Sequence, residues 1–124
     1  MYKYLEDIEE KRKLMDLYYW FIGEGYFLDA LNRFKNEEGF GVENIRCLFQ
    51  GDFEPWEEEY FEGKYVAFIA DHPAVNEDII AMVDYETFYE HLSGICEKYI
   101  RNNKSEENKV KTLLLQVQNR LIIA

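Results

Sequence analysis

The sequence has little with which to do redox or metal chemistry. Only two cysteines, Cys47 and Cys96, and two histidines, His72 and His91, occur in 124 residues. Two thiols this far apart make no disulfide framework, and a zinc site needs more ligands than these. Both cysteines read as small buried apolar residues. No apolar run approaches the roughly 18 residues of a membrane span, so neither a transmembrane helix nor a membrane partner is expected. The opening stretch MYKYLEDIEEKRKLM has no apolar leader core and too many acids for a transit peptide, so the expected compartment is the cytoplasm. Repeats, low-complexity tracts and Pro/Ser-rich linkers are missing, which suits a single domain over 1–124. An apolar content of 48% excludes a disordered acidic chain.

Basic residues are also scarce, but only in one place. Residues 1–49 hold ten acids and seven bases, and residues 92–124 hold three acids and six bases. Residues 50–91 hold twelve acids and one base, a net charge of −11 that equals the total for the chain. A field of that sign repels nucleic acid and anionic membranes and speeds encounter with a basic partner. A uniformly acidic surface would signal little beyond solubility; one confined to a third of the chain suggests recognition.

What is abundant is aromatic side chains, 17% of the residues, and they mingle with the acids. The stretch GDFEPWEEEYFEGKYVAFIADHP, residues 51–73, sets Trp56, Tyr60, Phe61, Tyr65 and Phe68 among Asp52, Glu54, Glu57, Glu58, Glu59, Glu62 and Asp71, with only Lys64 in answer. Unneutralised acids are tolerated when their counter-charges lie on another molecule. Aromatics beside carboxylates make a good protein-recognition surface. Trp56, Phe61 and Phe68 are expected to be at least partly core, with the acids as their exposed flank.

Periodicity supplies the frame. Leu5, Ile8, Met15, Tyr18 and Ile22 predict a helix over 4–22, broken at Gly23 and Gly25. A second helix follows over 26–37, with Gly39 as its stop. Strands are predicted at 44–49, 64–70 and 78–84, and the short connection DHPAVNE makes the last two an antiparallel hairpin. A helical turn is expected after Pro55. Asp84 caps a helix from Tyr85 to Arg101, and Ser105 caps a last helix carrying Val110, Leu113, Leu114, Val117 and Leu121. The prediction is an α+β domain: a small three-stranded antiparallel meander flanked by N-terminal and C-terminal helices.

Catalytic signatures are weak. Asp71 and His72 are adjacent in a turn, where neighbouring side chains diverge, and no second histidine stands at a ligand spacing. GFGVEN lacks the lysine and following helix of a phosphate-binding loop. Neither Ser93 nor Ser105 sits in a nucleophile elbow. The C-terminal bases Lys98, Arg101, Lys104, Lys109 and Lys111 are interrupted by Glu106 and Glu107 and read as a solvated face, not a nucleic-acid site. No catalytic, cofactor or metal residue is assigned.

The pieces GFGVENI, PWEEEYF, VAF, PAVNED and VDYETFY, within residues 27–100, resemble the immunity proteins of bacterial contact-dependent growth inhibition, those directed against ribonuclease toxins. The resemblance implies a non-enzymatic cytoplasmic protein that binds the C-terminal toxin domain of a cognate effector and protects sibling cells. It carries no contact residues with it. Charge and chemistry alone select Asp52, Glu54, Glu57, Glu58, Glu59, Tyr60 and Asp71 as the expected contacts to a basic ribonuclease domain, with no cofactor. Two other readings stand beside it. One is an acidic adaptor or nucleic-acid mimic aimed at another basic protein; the other is a small acid/base or metal-assisted enzyme using Asp71 and His72.

Overall fold

The computed structural model describes residues 1–123. Strand β1 (Lys3–Tyr4) leads into helix α1 (Ile8–Phe34), and β2 (Phe40–Val42), β3 (Ile45–Phe49), β4 (Tyr65–Ala70) and β5 (Ile79–Asp84) follow. Helices α2 (Tyr85–Asn102) and α3 (Glu107–Leu121) come last. The three expected strands are present as β3, β4 and β5, antiparallel in sequence order. The α+β class therefore holds, but the three-stranded meander is the centre of a larger sheet. The sheet has five strands in the order β1-β5-β4-β3-β2, with β1 parallel to β5. The added strands are two and three residues long, too short to carry an alternating pattern. Backbone bonds recruit β1, the Lys3 N–H donating to the Asp78 carbonyl and the Leu5 N–H to that of Ile80, and β2 joins by antiparallel pairing with β3.

That pairing also explains why α1 starts later than periodicity suggests. Residues 3–4 belong to the sheet, and Asp7 is the N-cap, its carboxylate accepting from the Glu10 N–H at 3.2 Å. The two predicted N-terminal helices are one rod with a kink at Gly23. Gly23 has φ 61° and ψ −174°, a backbone conformation in practice reserved for glycine. The rod ends at Phe34, so Gly39 is not its stop and instead lies buried beside β2 and β3. Ser105 does not cap α3. It lies in a 3₁₀ turn, Lys104–Glu106, and α3 begins at Glu107 without a side-chain cap. The Asp84 cap is present, with the carboxylate accepting from the Thr87 N–H at 2.8 Å.

The sheet is buried on both sides. On one face Cys47, Phe49, Val66, Phe68 and Ala81 pack under the three helices. Aromatic rings bind that layer together: Tyr18 meets Phe68 edge-on at 5.4 Å, and Phe88 meets Phe34 at 5.3 Å and Phe49 at 5.7 Å. Both cysteines are free and buried there. Glu37, at φ 59°, locks the helices at one end by accepting from the Tyr85 hydroxyl and, at 3.2 Å, from Arg120 Nε. On the other face Ala67, Ile69 and Ile80 are covered by Phe53, with Tyr2, Leu48, Tyr60, Phe61 and Met82 partly buried around them. The cover is the acidic segment itself.

Candidate functional site

Residues 50–64 cross from β3 to β4 beneath the sheet. Their local structure is a 3₁₀ turn at Gln50–Asp52 followed by turns, and the helical turn expected after Pro55 does not form. An apolar pair determines this course. Phe53 is buried against the sheet and meets the Phe61 ring edge-on at 5.4 Å, so the chain between them bows outward. Trp56 lies on the bow and is 80% exposed, contrary to the expectation that it is partly core. Phe53 and Phe61 already occupy the apolar ground that Trp56 would need.

The seven predicted contact residues divide by what their polar atoms touch. Asp52 is exposed as a residue, but its carboxylate turns back on the chain: Oδ2 accepts from the Phe49 N–H at 2.7 Å and the Gly39 N–H at 2.9 Å. Lost hydration raises its pKa above the ordinary carboxylate value, and the Phe49 and Gly39 donors pull it partway back. Asp71 pairs with Arg46 of β3 through Oδ2 at 3.1 Å. Arg46 also donates to the Tyr2 hydroxyl at 2.9 Å. Burial, followed by the neighbouring Asp71 carboxylate, pushes the Tyr2 phenol up to about 12. Tyr60 is half-buried, its hydroxyl 3.5 Å from Gln50 Nε2.

The remaining four are different. Glu54, Glu57 and Glu58 are exposed and Glu59 is half-exposed. Among the described residues none of these four, nor Glu62 or Lys64, takes part in an ion pair within 4 Å. Glu57, Glu58 and Glu59 line one concavity of about 390 Å³ together with Arg46, Leu48, Asp52 and Phe53. Arg46 thus joins the two ends of the predicted set, since it pairs with Asp71 and lines the same concavity as the glutamate run. Its importance is not visible in the sequence, because a single arginine in a strand carries no local signal.

Asp52 supports a prediction on stability. Asp52→Ala leaves two inward N–H groups without an acceptor and should cost about 1–2 kcal/mol after screening. Asp52→Asn keeps an acceptor and removes the poorly hydrated charge. A folded-state pKa above the unfolded 3.8 means the native state binds the proton more tightly, so the charge subtracts stability at neutral pH. That loss is relieved as pH falls through the raised value. Urea melts at pH 7 should therefore rank Asn at or above the parent and well above Ala. Equal losses for Ala and Asn would refute the capping role.

Among the described residues no helix is long and apolar enough to cross a membrane, and no group of three or more His, Cys, Asp or Glu side chains is placed to hold a metal. His72 sits exposed on the β4–β5 turn, where its backbone N–H donates to Asp78. His91 is half-buried, bonded through Nε2 to Asp16 at 2.7 Å and stacked on Tyr19. No curated protein matches the chain. The sequence model of one family does, over residues 11–114, from the first turns of α1 into α3. The match takes in the whole sheet except β1, the acidic crossover and the α2 layer, and by it this chain belongs to the CDI (contact-dependent growth inhibition) immunity proteins.

Proposed function

We propose that this immunity protein neutralises a ribonuclease toxin domain by laying the acidic crossover over that domain's cationic surface, and that it acts in the cytoplasm as a binder without catalysis. One observation carries the reading. Among the described residues Glu54, Glu57, Glu58 and Glu59 have no intramolecular counter-charge within 4 Å, yet they stand on a segment anchored to the sheet by Phe53 and Phe61. A loop pinned in this way presents charge without the ordering cost of a flexible acidic tail. Trp56 beside them is a large ring free to enter a partner's pocket. A ribonuclease must offer cations where RNA phosphates lie, and carboxylates can occupy the same ground. The enzyme reading loses support because Asp71 is committed to Arg46 and makes no hydrogen bond to the His72 side chain among the described residues.

The test pairs this chain with its cognate CDI toxin domain. The domain should cleave RNA alone and stop at a stoichiometric amount of this chain. Alanine substitution at Asp52, Glu54, Glu57, Glu58, Glu59, Tyr60 and Asp71, read by calorimetry, should give uneven losses. One or two carboxylates desolvated against Arg or Lys should cost about 2–5 kcal/mol, and rim acids under about 1. If all seven variants fold and bind like the parent, the interface lies elsewhere. If the domain degrades something other than RNA, the ribonuclease assignment fails and the interface can still stand.

A further inference from the structure

A second concavity lies on the opposite side of the sheet from the acidic crossover. It opens between α1, at the Gly23 kink, and the C-terminal half of α2, with a volume of about 630 Å³. That is within the ~300–1,000 Å³ typical of small-group binding sites. Its walls are the rings of Tyr19, Trp20, Phe27 and Tyr99. Tyr19, Phe27 and Tyr99 belong to the core, with Phe27 and Tyr99 ring centres 4.7 Å apart, so this part of the wall is rigid. Trp20 is not core. It is 76% exposed and braced edge-on by Phe21 at 5.4 Å. An indole left so open, next to a preformed aromatic wall, is unpartnered apolar surface of the kind that marks interaction sites.

The charges in the lining indicate what it accepts. Asp16 and Glu24 stand four residues to either side of Trp20 on α1. Each is oriented by a bond from α2: Asp16 Oδ1 meets His91 Nε2 at 2.7 Å, and Glu24 Oε2 accepts from Asn102 Nδ2 at 3.3 Å. Those contacts each use one carboxylate oxygen and hold both groups at the groove. Among the described residues Lys98 is the only cation in the lining, against the two carboxylates. Lys98 is exposed, makes no ion pair within 4 Å among the described residues, and has a stem long enough to turn its ammonium to water. Aromatic faces and carboxylates converging on one opening suit a flat delocalised cation, which stacks on indole and bonds to carboxylates with its edge.

We infer that the Trp20 groove is a second recognition site, separate from the acidic crossover, and that it takes an arginine side chain of a protein partner. The inference does not depend on the toxin being a ribonuclease or on the crossover being its contact, since the two sites lie on opposite faces. The probe is the blocked tripeptide acetyl-Gly-Arg-Gly-amide, with its neutral citrulline twin as control. The readout is the Trp20 indole N–H resonance, identified with Trp20→Phe. The arginine peptide should shift it saturably, and the citrulline peptide should bind at least about fivefold more weakly. The Asp16→Asn/Glu24→Gln double variant should lose at least about fivefold in affinity, and Lys98→Gln should gain about twofold, because it removes the competing charge. Equal response to the two peptides, no saturable shift, or weaker binding in Lys98→Gln would each overturn the assignment. Circular dichroism of the variants separates a lost site from a lost fold.

Discussion

Reversing Glu57, Glu58 and Glu59 to lysine together is expected to slow association with the toxin domain by about tenfold or more, while leaving this chain folded. The three changes move residues 50–91 from −11 to −5. They also replace the run that faces outward with the sign a basic partner repels. Long-range attraction acts on the encounter, so the on-rate should fall more than the off-rate rises. Folding should survive because Glu57 and Glu58 are exposed and, among the described residues, none of the three is in an ion pair. Losing three negative charges and gaining three positive ones also relieves repulsion within the segment. Stopped-flow association at low and high salt measures the effect. For the parent, the rate should fall as added salt shortens the screening length toward 10 Å and below. A parent on-rate indifferent to salt would remove the steering argument, whatever the variant does.

Gly39→Ala is expected to be the most damaging small substitution in the chain, with a loss of about 3 kcal/mol. A methyl group at this position would lie 2.3 Å from the Cys47 carbonyl oxygen, 2.7 Å from Asp52 Oδ2 and 2.7 Å from Leu48 Cδ2. The leucine tip could rotate away, but the carbonyl cannot. It belongs to β3 where Cys47 pairs with Phe40, so relief requires peeling β2 from the sheet edge. The same movement breaks the Gly39 N–H bond to Asp52 and loosens the turn from which the acidic crossover departs. Gly51→Ala is the control, since a methyl group there meets nothing within 4 Å. Urea midpoints should separate the two variants widely, and coincident midpoints would show that the edge strand has room to move. Toxin affinity should also drop in Gly39→Ala, through the displaced turn.

These two predictions draw on different kinds of legibility. The glutamate run was readable along the chain because its residues are neighbours. The strands at 44–49, 64–70 and 78–84 were readable because each has a β-rich run bounded by turn residues, and local chemistry decides both. The Asp84 cap and α2 stripe were legible for the same reason. Gly39 looked like a helix stop because glycine does end helices. Its actual constraint is a carbonyl eight residues away that only pairing of β2 with β3 brings close. Trp56 looked like core because large rings usually are, but burial depends on which ring reaches the sheet first, and Phe53 with Phe61 does so.

By itself, the sequence determined the α+β class, the central meander, the main helices and the confinement of negative charge to one segment, because each follows from residue type and near-neighbour spacing. Tertiary structure decided which acids are free. Asp52 and Asp71 are as acidic as Glu57 in the sequence, yet one is committed to two backbone N–H groups and the other to Arg46. It also decided that β1 and β2 join the sheet and that Trp20 is left open over an aromatic wall. A partner's position across the sheet depends on register and packing between segments distant in the chain, and near-neighbour pattern carries no information about either.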